Sequence, residues 1–143
     1  MIGRKKIFVL IGLLIFLQAC VGAPKPPKEL LSLNEVQMKI RSYQSRAFDL
    51  SDQKKMMRAV VAALQDLGFI VERANGPMGL VTAGKFAGEG YRGFVELTVT
   101  VRPKGKTQVE VRVNAILNTK PIEDPKIYQN FFSAVQRSLF LPG

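Results

Sequence analysis

Phe94-Val-Glu-Leu-Thr-Val-Thr-Val-Arg-Pro-Lys-Gly-Lys-Thr-Gln-Val-Glu-Val-Arg-Val-Asn-Ala-Ile-Leu117 is the stretch on which the fold turns. Val95, Leu97, Val99 and Val101 alternate with Glu96, Thr98, Thr100 and Arg102, while Val109, Val111, Val113, Ala115 and Leu117 alternate with Glu110, Arg112 and Asn114. Strand side chains point to opposite faces in turn, so a period of two describes two strands with one buried and one wet face. Pro103-Lys-Gly105-Lys106 is turn chemistry, which makes the pair an antiparallel hairpin. Such a sheet needs covering on one face only, and helices are the expected cover.

Two stretches supply that cover. From Gln53 to Leu67, Met57, Val60, Val61, Leu64 and Leu67 recur at helical spacing and form one apolar stripe. Gly68 is placed to end this helix, with Phe69 making the hydrophobic contact that accompanies a glycine stop. Near the C-terminus, Asp124-Pro125 reads as an N-cap with proline at the first helical position, followed by Tyr128, Phe131, Phe132, Val135 and Leu139 at helical spacing. Between the first helix and the hairpin, Phe69–Arg73 is a strand, Asn75-Gly76-Pro77 a turn and Gly79–Phe86 a weaker strand. Upstream, Glu29–Ile40 reads either as a short helix or as the lead into a strand, and Arg41–Phe48 reads as extended. Asp49-Leu-Ser51-Asp52 supplies helix-capping chemistry, with Ser51 expected to cap. The fold class is therefore α+β: a two-layer sandwich over residues 29–143, with two helices on one face of an antiparallel sheet of about four to five strands.

Residues 1–28 have a different character. Arg4-Lys5-Lys6 precedes Ile7–Leu17, an unbroken apolar run too short to span a bilayer comfortably, which is the pattern of a secretory signal. Leu17-Gln-Ala-Cys20 closely resembles the lipobox of bacterial lipoprotein signal peptides, which are cut before the cysteine. That resemblance implies a signal peptide over residues 1–19, a thioether-linked lipid on Cys20 and acylation of the new N-terminus. An ordinary signal peptide or an uncleaved anchor with a chance cysteine is the alternative. Val21 stands where aspartate commonly marks inner-membrane retention in Gram-negative lipoproteins, so the resemblance points to the periplasmic face of the outer membrane. Pro24, Pro26 and Pro27 favour an extended, stiff conformation, and residues 20–28 read as the lipidated cysteine and its tether.

Composition excludes more than it assigns. The chain of 143 residues has no histidine and one cysteine, so it forms no intramolecular disulfide, no Cys/His metal site and no histidine-based triad. Three literal motif matches fail on context. Gly88-Glu-Gly90-Tyr-Arg-Gly93 runs into a strand where dinucleotide binding needs a helix; Gly105-Lys106-Thr107 is a hairpin turn; Ser51-Asp-Gln-Lys54 lacks the companion elements of penicillin-recognising enzymes. Glu72, Glu96 and Glu110 lie in strands without a nucleophile or base beside them in the pattern. The expectation is a non-catalytic protein without cofactor other than its covalent lipid.

The basic surface is the functional signal that remains. Net charge is +10 for the chain and +7 once Arg4, Lys5 and Lys6 are removed with residues 1–19. Lys54, Lys55 and Arg58 fall in the first turns of a helix, where the macrodipole disfavours cations, and are the candidate partner-binding residues. A solvated charged face is the ordinary alternative. Outside the cytosol, anionic lipid, glycan or acidic protein is the expected partner, and not nucleic acid.

Gln44-Ser-Arg-Ala-Phe-Asp49, Leu64-Gln-Asp-Leu-Gly-Phe69 and Gly79-Leu-Val-Thr-Ala-Gly-Lys85 resemble segments of a family of small uncharacterised bacterial lipoproteins. The element order is also similar, at the level of fold, to the helix-grip domains of BamC, a lipoprotein of the outer-membrane barrel assembly machine. These resemblances imply a membrane-anchored binding or scaffolding accessory of an envelope or secretion assembly. The alternative is a carrier or sensor of an amphipathic anionic envelope lipid such as lipopolysaccharide; a closed apolar cavity between helices and sheet would favour it, while a filled core with an exposed groove would favour the scaffold. Cys20→Ser should release the protein from membranes in detergent-phase partitioning, and an unmodified, uncleaved wild-type chain by intact mass would contradict lipidation.

Overall fold

Every strand of the sheet runs antiparallel to its neighbours, and the hairpin lies inside it rather than at an edge. The computed structural model describes residues 34–88 and 92–140. In chain order the elements are α1 (Glu35–Gln44), β1 (Ser45–Phe48), α2 (Gln53–Asp66), β2 (Ile70–Asn75), β3 (Leu80–Phe86), β4 (Phe94–Lys104), β5 (Gln108–Leu117), β6 (Lys120–Pro121) and α3 (Pro125–Phe140). The sheet order is β1-β5-β4-β3-β2, with β6 pairing β5 beyond the stretch that β1 occupies. This is the expected α+β sandwich, with one helix and the short β6 added to it.

The β4–β5 register sets the two faces. Val99 pairs with Val113, Val101 with Val111 and Pro103 with Val109, so the valines share one face with Val81 and Ala83 of β3. Val60, Leu64, Val81, Val99, Val101, Val109, Val111 and Val135 are all wholly buried between this face and α2 and α3. Each such side chain contributes about 1.5–3 kcal/mol by leaving water. The opposite face carries Thr82, Thr98, Thr100, Arg102, Arg112 and Asn114. In β2 the extra residue Glu72 forms a bulge, so Arg73 pairs with Thr82 on the wet face although it lies two residues after the inward Val71.

Two expectations near the N-terminus are corrected. Arg41–Gln44 is helical rather than extended, and the strand begins only at Ser45. The reason is tertiary: Gln44 is buried and its Nε2 donates to the Tyr128 hydroxyl at 3.2 Å, while the Tyr43 ring packs on Tyr128 at 5.6 Å. The Tyr128 hydroxyl in turn donates to the Ile122 carbonyl, so this buried polar pair is satisfied. The cap of α2 is Asp52 and not Ser51; its carboxylate accepts from the Lys55 amide at 2.9 Å. That bond, with further help from the Lys54 amide and the charges of Arg58 and Lys54, holds the Asp52 carboxyl below the ordinary aspartate range.

The glycine stop is as expected. The Phe69 amide donates to Leu64 O and the Gly68 amide to Gln65 O, the two bonds of a Schellman ending, with Gly68 at φ 77°. Gly79 at φ 61° is under a harder constraint, because a Cβ there would run into the Val101 carbonyl oxygen. A pair of variants separates the two effects. Gly68→Ala meets no neighbour and should cost about 1 kcal/mol for left-handed backbone alone. Gly79→Ala adds a collision with the backbone of β4, so thermal unfolding should show a distinctly larger drop in Tm for it than for Gly68→Ala. Equal drops would contradict the close approach of Gly79 to β4.

Candidate functional site

An apolar cleft of about 440 Å³ lies between the sheet and the helices at the end away from the β4–β5 turn. Val95, Leu97, Val113, Ala115 and Leu117 form its floor, all on the inward parity of β4 and β5. Leu67 and Phe69 at the end of α2 form one wall; Ile122, Ile127 and Phe131, around the start of α3, form the other. It reaches the surface beside Asn130 and Ile127, the latter 44% exposed. A concave, mostly apolar site of a few hundred Å³ with few polar groups is the usual form of a small-molecule site.

One charge belongs to the cleft. Lys85 sits in β3 on the inward parity of Val81 and Ala83, where a charged side chain is out of pattern. Its ammonium donates to the Leu67 carbonyl at 2.9 Å and lies 4.4 Å from the centre of the Phe69 ring. It therefore closes the C-terminus of α2, where the helix dipole favours a cation, and keeps donor capacity for an anionic group at the cleft. Sequence reasoning missed this residue, although its signal was available: a lysine where the strand alternation requires an apolar side chain.

The residues singled out from sequence lie elsewhere. Cys20 is outside the described residues. Lys54, Lys55 and Arg58 are exposed on the first turns of α2 and take no part in the cleft. Lys55 borders a second hollow of about 470 Å³ with Arg46, Phe48, Leu50, Leu139 and Phe140. Lys104 and Glu110 form an ion pair at 3.1 Å on the hairpin, which occupies one of the three strand carboxylates. Glu96 lies on the wet face and Glu72 at the bulge.

No protein-family model matches the chain, and no curated protein matches it. Among the described residues no group of three or more His, Cys, Asp or Glu side chains is placed to hold a metal ion, and no helix is long and apolar enough to cross a membrane. The cleft, with Lys85 beside it, is the feature of the described residues best suited to hold a ligand.

Proposed function

We propose that the chain is a lipid-anchored envelope lipoprotein, held through Cys20 at the periplasmic face of the outer membrane, whose domain is a non-catalytic binding module. Of the two roles that the sequence leaves open, a carrier or sensor of an amphipathic anionic lipid has the stronger support. The apolar lining of the cleft carries that reading, although the cleft opens at the surface and is not the closed cavity that would favour a carrier most. Its walls and floor offer apolar side chains to an acyl chain, and each methylene that leaves water contributes about 0.8 kcal/mol. Lys85 offers its ammonium to a carboxylate or phosphate at the same site. A scaffolding role in an envelope assembly draws on a different feature, the aromatic pair Phe86 and Phe94 on the wet face, where Phe86 is 81% exposed.

The test uses the chain from residue 20 onward with Cys20→Ser, so that no detergent competes for the cleft. A dansyl-labelled fatty acid should bind saturably with enhanced emission. Leu117→Trp, which fills the cleft from its floor, should abolish binding while circular dichroism stays that of the folded domain. Lys85→Met should weaken the fatty acid by about tenfold, the scale of one charge-assisted hydrogen bond, and leave the corresponding alcohol unchanged. Undiminished binding in Leu117→Trp would exclude the cleft as the binding site.

A further inference from the structure

The sheet register and two short contacts gather basic side chains from separate parts of the sequence at the turn end of the domain. Phe48 of β1 pairs with Val109, which pairs with Pro103, so β1 ends beside the β4–β5 turn. Gln53, the first residue of α2, donates through Nε2 to the Val101 carbonyl at 2.9 Å and brings Lys54, Lys55 and Arg58 to the same end. Lys106 lies in the turn itself. Nearby carboxylates are already engaged: Asp49 accepts from Gln108 Nε2 at 2.6 Å, Asp52 caps α2 and Glu110 pairs with Lys104. Among the described residues, Lys54, Lys55, Arg58 and Lys106 form no ion pair.

Apolar surface accompanies this charge. The hollow bordered by Lys55 and Arg46 is walled by Phe48, Leu50 and Leu139, and Phe140 stands 79% exposed at its rim. Arg46 lies with its guanidinium 4.8 Å from the centre of the Phe132 ring. Cations without ion pairs and an exposed aromatic ring at the same end of the domain match the interfacial zone of an anionic bilayer, where phosphates meet the first acyl methylenes. An acidic protein would satisfy the cations but not require the exposed ring.

We propose that the turn end of the domain, which carries Lys54, Lys55, Arg58 and Lys106 and, beside Lys55, the exposed Phe140, docks on an anionic phospholipid surface and seats Phe140 among the lipid headgroups. This goes beyond the role of Cys20, because an anchor alone would leave the domain free to stand off the membrane, and it is independent of what the cleft binds.

The chain has no tryptophan, so Phe140→Trp creates a single fluorescent reporter. The mature lipidated chain, residues 20–143, carrying Phe140→Trp is reconstituted in vesicles of phosphatidylcholine alone, or of equal parts phosphatidylcholine and phosphatidylglycerol, with brominated acyl chains as quencher. Emission should shift to the blue and be quenched in the anionic vesicles only, and high salt should reverse both effects. Lys54→Glu, Lys55→Glu and Arg58→Glu together should abolish them without lowering Tm, since the helix start then carries acids. Phe86→Trp, on the wet face, should report the same emission in both vesicles. Emission from position 140 that is indifferent to lipid charge, or quenching at position 86 instead, would overturn the proposal and leave an acidic protein as the partner of the basic residues.

Discussion

The antiparallel register of β4 and β5, from Val95 against Leu117 to Lys104 against Gln108, is the constraint on which the rest of the structure depends. A slip of one residue would turn the inward set of one strand to water, either Val99 and Val101 of β4 or Val109, Val111 and Val113 of β5, and bring that strand's polar residues inward. The register is therefore set by burial along the whole hairpin, with Gly105 at φ 66° completing the turn. Its outer edges are used differently. β3 extends β4 along most of its length, while β5 is shared between β1 at one end and the short β6 at the other.

This division of β5 places the chemistry. β1 carries Phe48 and Arg46 to the turn end, where they meet the start of α2 and the end of α3. β6 leads into Ile122 and the start of α3 at the other end, where the helices leave the cleft open over the sheet. Val95 and Pro103 mark the two ends and are eight residues apart on β4, roughly 27 Å at the rise of an antiparallel strand. With the turn end against a bilayer, the cleft would face the aqueous compartment, and an amphipath in transit is the ligand it would meet there.

The layers were legible from sequence because both periods were clean: two in the hairpin, helical in α2 and α3. The Gly68 stop, the Asp124-Pro125 start and the Asn75-Gly76-Pro77 turn were legible for the same reason, each being local backbone chemistry. α1 was legible only as one of two readings of Glu29–Ile40, since Val36 and Met38 are exposed and no apolar stripe marks it; its extension to Gln44 is fixed by Gln44 and Tyr43 on Tyr128, a contact between residues far apart in sequence. The basic residues of α2 were visible one by one, but that they share an end of the domain with Lys106 and Phe140 is a product of topology. Lys85 was legible in principle and needed only its strand parity to be followed. The space beside it was not, because a cleft is made by what two helices fail to cover.

The central claim is that the cleft takes the apolar part of an amphipath, and paramagnetic broadening of methyl resonances tests this most directly. A fatty acid with a nitroxide at its chain terminus is titrated into methyl-labelled protein made with Cys20→Ser. Methyls of Val95, Leu97, Leu117 and Ile122 should broaden first, while those of Val60 and Val101, deep in the filled core, stay sharp. Broadening confined to the exposed Val36, Met38 and Met78 would place the probe on the surface and contradict the claim.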